Sequence, residues 1–512
     1  MKPMHSARGV TTPQLSRAAR HTIARTRLDE ETGRIEKEAE FTIALCYPSP
    51  YAAAMSSLGF QRIYRAIMES PGLGCHRSFL DDDAESDLLL QTVPFTYEAD
   101  REISDYPVVA FSIAYELEIA GFLRMLDAAG IPALREERDA RHPLVVCGGP
   151  LTFSNPLPLA PFVDAIIIGE AEEITPRVLQ VLSEGLSANE ARARLAEIPH
   201  VFVPEHHGSM LPTVAKVDDA LLPAWGPIRT PNAVLRDMFL LETERGCSRM
   251  CTYCVMRRST NGGMRLASME RIFELIPKDA RKVGLVGAAV SDHPRIVQIV
   301  NRLADEGREV GLSSLRPDRL SDEFVAALKR AGYRTLTTAM DGPSERLRES
   351  LERKAKVKHL ERCAERARAH GMKGLKLYLM IGLPNETDED IDECVAFTTE
   401  LSKRIPISLG IAPFCSKRNT PMDGLPFAGI KVVQDRLERL KRGLRGRVDV
   451  RSTSARWAWV EYVLAQGGEA EGLATLAAMR EGAKFSDYKK AFAEVDLTRK
   501  GMPRRKLQLA PV

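Results

Sequence analysis

The residues with the clearest chemical meaning are Cys247, Cys251 and Cys254, in the run Glu244-Arg245-Gly246-Cys247-Ser248-Arg249-Met250-Cys251-Thr252-Tyr253-Cys254. Three thiolates within eight residues can converge on one small volume, and soft sulfur ligands select zinc, copper or an iron-sulfur cluster. A structural zinc site wants a fourth protein ligand, usually from another close Cys or His pair, and the next histidine is His293. A cubane cluster on three cysteines instead leaves one iron without a protein ligand, open to bind and activate a small molecule. A structural metal clip and three buried thiols are the other readings that this spacing allows.

The loop needs a frame, and the hydrophobic pattern supplies one. The 512 residues give room for about three domains. From Phe41 onward, short apolar runs at Phe41 to Cys46, Val108 to Ile113, Leu144 to Cys147 and Ala165 to Ile168 alternate with amphipathic stretches. Phe60, Ile63, Tyr64 and Ile67 share one helical stripe, as do Ile119, Phe122, Leu123 and Leu126, which predicts an open α/β layer with a parallel sheet. Five prolines between Pro204 and Pro231 interrupt regular structure. Alternation then resumes, with strand candidates at Met238 to Leu241, Val283 to Gly287, Val310 to Ser314, Arg334 to Thr338, Leu375 to Ile381 and Ile407 to Ile411. Six βα units are short of the eight that fill a complete barrel of ~250 residues, so a partial TIM barrel is expected. The cysteine loop follows its first strand, where such architectures carry their active sites.

Composition excludes several classes. With 44% hydrophobic and 28% charged residues and a net charge of +3, the chain is neither disordered nor fibrous, and nucleic-acid or membrane binding would have to rest on local clusters. No run reaches the ~20 apolar residues of a membrane span and the first residues lack the apolar stretch of a signal peptide, so a cytoplasmic location is expected. Nine cysteines scattered over the chain read as thiols and metal ligands rather than as a disulfide framework. Lys2, Arg8, Arg17, Arg20, Arg25 and Arg27 precede the first acid at Asp29, which reads as a flexible basic tail.

Cys-x3-Cys-x2-Cys with an aromatic residue, Tyr253, directly before the last cysteine resembles the signature of the radical SAM superfamily. The resemblance implies that the three cysteines hold a 4Fe-4S cluster whose open iron chelates S-adenosylmethionine, which electron transfer splits to a 5′-deoxyadenosyl radical. It extends to Val283-Gly284-Leu285-Val286-Gly287, similar to the family's Gly-Gly-Glu segment but lacking the Glu that receives the methionine amino group. That contact would then fall to backbone carbonyls. Ser313 to Asp318, Thr338 to Arg346 with Asp341 in the acidic place, Gly382-Leu383-Pro384-Asn385-Glu386-Thr387 and the segment Ala412 to Pro421 are similar to the segments after strands three to six. Tyr253, Gly287, Ser313, Arg316 and Asp341 are the implied S-adenosylmethionine contacts.

Cys147-Gly148-Gly149-Pro150 and the run Asp164 to Glu173 resemble the cobalamin-binding-like domain that precedes many radical SAM barrels, which makes Gly148 and Gly149 cofactor candidates. The Asp-x-His-x-x-Gly motif of cobalt-ligating proteins is absent: His76, His142 and His200 lack its neighbours. The expected fold is therefore α/β: a basic extension over 1–40, a flavodoxin/Rossmann-like B12-binding-type domain over 41–203, a Pro-rich linker over 204–231, a partial (β/α)6 barrel over 232–447 and a small helical extension over 448–512. The expected function is a radical SAM enzyme with a 4Fe-4S cluster and S-adenosylmethionine, cobalamin as a candidate second cofactor for methyl transfer, and a reductant such as flavodoxin or ferredoxin as partner. Arg436, Arg439, Lys441, Arg442, Arg445 and Arg447, with Arg499, Lys500, Arg504, Arg505 and Lys506, raise the alternative of an RNA-modifying, methylthiolation-like enzyme, for which Cys46, Cys75 and Cys147 are the upstream cysteines. A non-catalytic metal-binding scaffold is the third reading. Cys415, after strand six, is either a hydrogen donor at the barrel mouth or a buried, hydrophobe-like thiol.

Overall fold

The structure, a computed structural model, describes residues 16–81, 93–256 and 263–499; Lys2, Arg8 and the basic residues from Lys500 onward lie outside them. The first sheet is built from β1 (Phe41–Pro50), β2 (Leu73–Leu80), β3 (Val108–Ser112), β4 (Leu144–Gly148), β5 (Ala165–Ile167) and β6 (Val201–Phe202). Its order is β2-β1-β3-β4-β5-β6, parallel except for β6, and its first five strands follow the 2-1-3-4-5 order of doubly wound flavodoxin-type sheets. Alternation along β1 sends Ile43, Leu45 and Tyr47 to one core, under helices Leu58–Glu69 and Ile174–Leu182, and Ala44 and Cys46 to the other, under helix Glu118–Ala128. Burial on both faces explains why the central strands read as near-continuous apolar runs.

Two termini behave differently from expectation. Residues 16–40 are not a loose extension: helix Arg17–Asp29 is capped by Ser16, and Glu31 makes a bidentate ion pair with Arg77 of β2 at 2.9 and 2.7 Å, both side chains fully buried. Thr32 and Arg229 exchange backbone hydrogen bonds. The C-terminal stretch is not merely an appendage to the barrel. Asp449–Ser452 forms a strand, and Val460, Leu464, Leu476, Met479, Tyr488 and Phe492 of the last three helices enter the core beneath β1, β3 and β4 of the first sheet. The Asn155 side-chain amide locks this packing by donating to the carbonyls of Leu464, Ala465 and Gly467 at 2.9–3.1 Å.

The second unit starts at β7 (Met238–Glu242), continues through the antiparallel hairpin β8 (Glu244–Cys247) and β9 (Gly263–Leu266), and then alternates strands and helices through β10 (Lys282–Val286), β11 (Glu309–Leu312), β12 (Thr335–Asp341), β13 (Gly374–Ile381), β14 (Ile407–Pro413) and β15 (Asp449–Ser452). The strands form two parallel arcs, β7-β10-β11 and β12-β13-β14-β15, with one continuous core between the strands of both arcs and their helices. The arcs thus hold seven strands, one more than the pattern of apolar runs predicts. Helix Asp322–Arg330 starts at the Ser321 cap and helix Asp388–Ser402 at a Thr387–Asp390 capping box, both as expected from their first-turn acids.

Replacing Asn155 with Ala leaves three buried helix-end carbonyls without their donor, and is expected to cost about 2 kcal/mol. Urea unfolding measures the loss, and limited proteolysis should show earlier cleavage within residues 455–499.

Candidate functional site

Cys247 is the last residue of β8, paired with Gly263 of β9, and Cys251 and Cys254 follow on a loop that turns back toward the arcs. The three thiols are half-buried. Burial raises the pKa of Cys247 and Cys254, and the neighbouring thiols of the loop raise them further. This mutual repulsion, with thiols held near one another and short of water, is what a metal centre relieves by taking thiolates as ligands. Among the described residues no trio of Cys, His, Asp or Glu stands in a completed metal-ligating arrangement. The donor set fits an iron-sulfur cluster: three soft ligands on one loop, with no fourth brought to them among the described residues.

Arginine-carboxylate pairs pin this loop from every side. Arg249, between the first two cysteines, makes a two-pronged contact with Asp292 at 2.8 and 3.1 Å and reaches Asp318 at 3.5 Å, so the loops after β10 and β11 both grip it. Arg316, 4% exposed, is committed to the same two acids. It braces the clamp rather than lining an open pocket as expected. On the hairpin, Arg245 pairs with Glu242 and with Glu172 at 2.7 Å, and Arg265 pairs with Glu170 and Asp219. Glu170 and Glu172 follow β5 of the first domain, so that domain's strand-exit loop holds the cysteine hairpin directly.

Tyr253 packs its ring among Leu347, Leu351, Leu383 and Phe414, and its hydroxyl hydrogen-bonds Asp341. Asp341 has a positive φ of 65° and pairs with Arg353. Burial pushes the Asp341 carboxyl up, while Arg353 and the Tyr253 hydroxyl hold it back. The backbone N–H of Thr252 donates to the Leu351 carbonyl at 3.2 Å. A cleft of about 600 Å³ opens beside Arg249 and is bordered by Arg348, Lys354, Lys356 and His359.

Gly287 and Ser313 stand together at the strand ends: the Ser313 hydroxyl donates to the Gly287 carbonyl at 2.8 Å and accepts from its N–H at 3.0 Å. This segment has no acid of its own, but one from another strand stands beside it. Glu244, 1% exposed, reaches over from β8 and accepts from the Ala289 N–H at 2.6 Å, while its other oxygen, Oε2, has no partner among the described residues. A Cβ at position 287 would lie 2.1 Å from Glu244 Oε1, so the glycine makes room for the carboxyl. A side-chain carboxyl therefore stands beside the backbone carbonyls of this segment. Glu244, Arg249 and Arg353 escape a reading based on spacing; the only local signal is the Glu-Arg-Gly string immediately before Cys247.

Gly149 answers to the chain's own packing, whereas a Cβ at Gly148 would meet only ordinary contacts at 3.9 Å. Gly149 has φ 104°, and a Cβ there would sit 2.6 Å from the Ile113 carbonyl oxygen. Cobalamin remains compatible with the sheet topology, but these glycines form no cradle that argues for it. Cys46 and Cys147 face one core and Cys75 the opposite one, so the three upstream cysteines do not converge. Cys415 donates to the Ala458 carbonyl at 3.0 Å, and burial holds its thiol well above the usual range. Of the basic run, Arg436 bonds buried Glu386 and Arg439 bonds Asp388 and Asp392, which neutralises two of its six cations. Among the described residues no helix is long and apolar enough to cross a membrane.

The first sheet and the cysteine hairpin each fall largely within a stretch that a family model matches. A model described as "Radical SAM proteins, N-terminal" matches residues 59–204 and one described as "Radical SAM superfamily" matches residues 241–398. The chain belongs to the radical SAM superfamily, whose members use a 4Fe-4S cluster and S-adenosylmethionine. An uncharacterized protein of Methanocaldococcus jannaschii is 27% identical over 79% of this chain and 84% of its own length. Ribosomal protein uS12 methylthiotransferase RimO of Trichlorobacter lovleyi is 24% identical over 44% of this chain, and the match spans only 53% of that protein. Among solved structures, the apo cobalamin-dependent S-adenosylmethionine radical enzyme OxsB shares the fold, with a TM-score of 0.51 at 10% identity over 90% of this chain and 71% of that one.

Burial, together with the charges of Glu242 and Asp292, pushes the Glu244 carboxyl up to about 8 from its ordinary 4.5. Below pH 4.5 it is protonated folded and unfolded alike; between 4.5 and 8 only the folded state holds the proton, so its contribution to stability is lost as pH rises through that window. In cluster-free protein the urea midpoint should fall between about pH 5 and pH 8, and Glu244→Gln should flatten that slope.

Proposed function

We propose that this chain is an enzyme that reductively cleaves S-adenosylmethionine at a 4Fe-4S cluster held by Cys247, Cys251 and Cys254, and uses the 5′-deoxyadenosyl radical to abstract hydrogen from an unactivated position of its substrate. The observation that carries this reading is the presentation of three thiols, with no fourth ligand among the described residues, on one arginine-pinned loop at the mouth of the strand arcs. The chain's own residues do the rest. Arg249 fixes the loop against the β10 and β11 exits, and Tyr253 closes its inner side against an apolar cluster tied to Asp341. The unpartnered oxygen of Glu244 offers the ammonium group of S-adenosylmethionine an acceptor beside Gly287, a contact that draws the carboxyl to its ionised form. Burial around the loop excludes water and stray hydrogen donors from a radical.

A reductant such as flavodoxin or ferredoxin supplies the electron. Methyl transfer by way of cobalamin is the proposed outcome if extraction of anaerobically purified protein yields a corrin; rearrangement, oxidation or sulfur insertion follow if it does not. RNA as substrate is supported by the partial likeness to methylthiotransferases and weakened by the pairing of Arg436 and Arg439.

Incubation of the reconstituted protein with dithionite and S-adenosylmethionine is expected to give 5′-deoxyadenosine, and Cys251→Ala should lose both the cluster iron and that product. An intact cluster without product would favour a non-catalytic scaffold, and product from Cys251→Ala would refute the ligand assignment. Glu244→Gln should keep its iron and raise the KM for S-adenosylmethionine about tenfold, the loss of roughly one charge-assisted hydrogen bond.

A further inference from the structure

The inner face of the four-strand arc carries side chains that the cofactor chemistry leaves unused. Register aligns Ala339, Tyr378, Gly410 and Arg451 in one row across β12 to β15, with Lys376 two residues back along β13. The intervening Leu377, Leu379 and Leu409 belong to the core beneath the helices, so alternation sends this row to the opposite, inner side. A filled barrel packs that side with layers of branched aliphatic side chains. Here Tyr378, in mid-strand, is 42% exposed.

The row is shaped around a ring. A Cβ on Gly410 would lie 2.6 Å from the Tyr378 ring carbons Cδ1 and Cε1, so only glycine lets the ring lie down on β14. Ala339 and Ala412 add no more than methyl groups beside it. Lys376 Nζ stands 4.6 Å from the ring centroid, with no carboxylate partner among the described residues. Arg451, exposed, bonds Asp449 at 2.8 Å, the one acid on this stretch of the face. On the facing arc, Met238 lies across Gly284 and Gly311, within 3.0 Å of where their Cβ atoms would be, and offers an apolar wall.

Resting on the radical SAM reading above, we propose that this face is the substrate shelf and that the substrate carries a planar ring bearing an acidic group. The ring stacks on Tyr378, and its acid pairs with Lys376 and Arg451. Stacking recovers the apolar ring surface that Tyr378 otherwise leaves in water, and Lys376, the cation here without a carboxylate partner among the described residues, attracts an anion and repels a cationic ring, with Arg451 shared between that anion and Asp449. An aliphatic acid would satisfy the cations and leave the tyrosine wet.

Saturation-transfer NMR on the reconstituted enzyme, with 2-naphthoate, 2-naphthylmethanol, 2-naphthylmethylammonium and cyclohexanecarboxylate as probes, tests this. Only 2-naphthoate is expected to respond strongly. Tyr378→Ala should weaken it about tenfold, Tyr378→Phe should preserve it, and Lys376→Met should erase its advantage over 2-naphthylmethanol. A stronger response from the neutral, cationic or aliphatic probe, a response unchanged by Tyr378→Ala and Lys376→Met, or no response at all overturns the proposal. Cleavage of S-adenosylmethionine is assayed on the same samples. Cleavage with 2-naphthoate indifferent sinks the shelf alone, whereas selective naphthoate binding without cleavage sinks the radical reading and leaves the shelf standing.

Discussion

Three thiolates on a short loop repel one another, and a loop cannot resist that repulsion by its own backbone. Everything about this site follows from how the loop is held. Arg245 and Arg265 anchor the hairpin stem to Glu170 and Glu172, and Arg249 anchors the loop to Asp292 and Asp318. Guanidinium groups suit the task because their planar forks meet carboxylates in pairs and remain charged when buried. The pairs share members, with Asp292 between Arg249 and Arg316 and Arg245 between Glu242 and Glu172, so removing one member leaves its buried partners with less compensation for their charge. The clamps therefore act as a set.

The same pairs join the two units. Glu170 and Glu172 stand just past β5 of the first sheet, while Asp292 and Asp318 follow β10 and β11 of the second. A second contact repeats the arrangement farther along: Lys417, after β14, bonds Glu116 of the first domain at 2.6 Å and Glu461 of the C-terminal helices at 2.7 Å. The strand-exit ends of both sheets thus face each other across the cysteine hairpin, and the first domain serves the site as a brace whatever else it binds.

Much of this was legible beforehand because buried parallel strands and capped helices leave strong local marks. The six apolar runs fall on β7 and β10 to β14, and Ser321 and Thr387 begin helices. Besides the two-residue β6, strands escaped where polar residues interrupt the apolar run. β2 contains Gly74, His76 and Arg77, and the buried Arg77 is met by two carboxylates, Glu31, 46 residues away, and Glu98. β15 reads Asp-Val-Arg-Ser, with Val450 alone turned to the core side. The cysteine loop announced its ligands through spacing. The meaning of Glu244 and Gly287, by contrast, depends on two strand ends meeting, which no local pattern records.

The C-terminal helices give the chain an unusual order of assembly. The core under β1, β3 and β4 is completed by residues 460–492, and Asn155 finds its carbonyl partners 309 to 312 positions later. In topological terms the strand arcs are an insertion within the first domain. A nascent chain leaving the ribosome must therefore carry an unsealed sheet through the synthesis of the whole second unit. Contacts that close so late are slow to form and leave apolar surface open meanwhile.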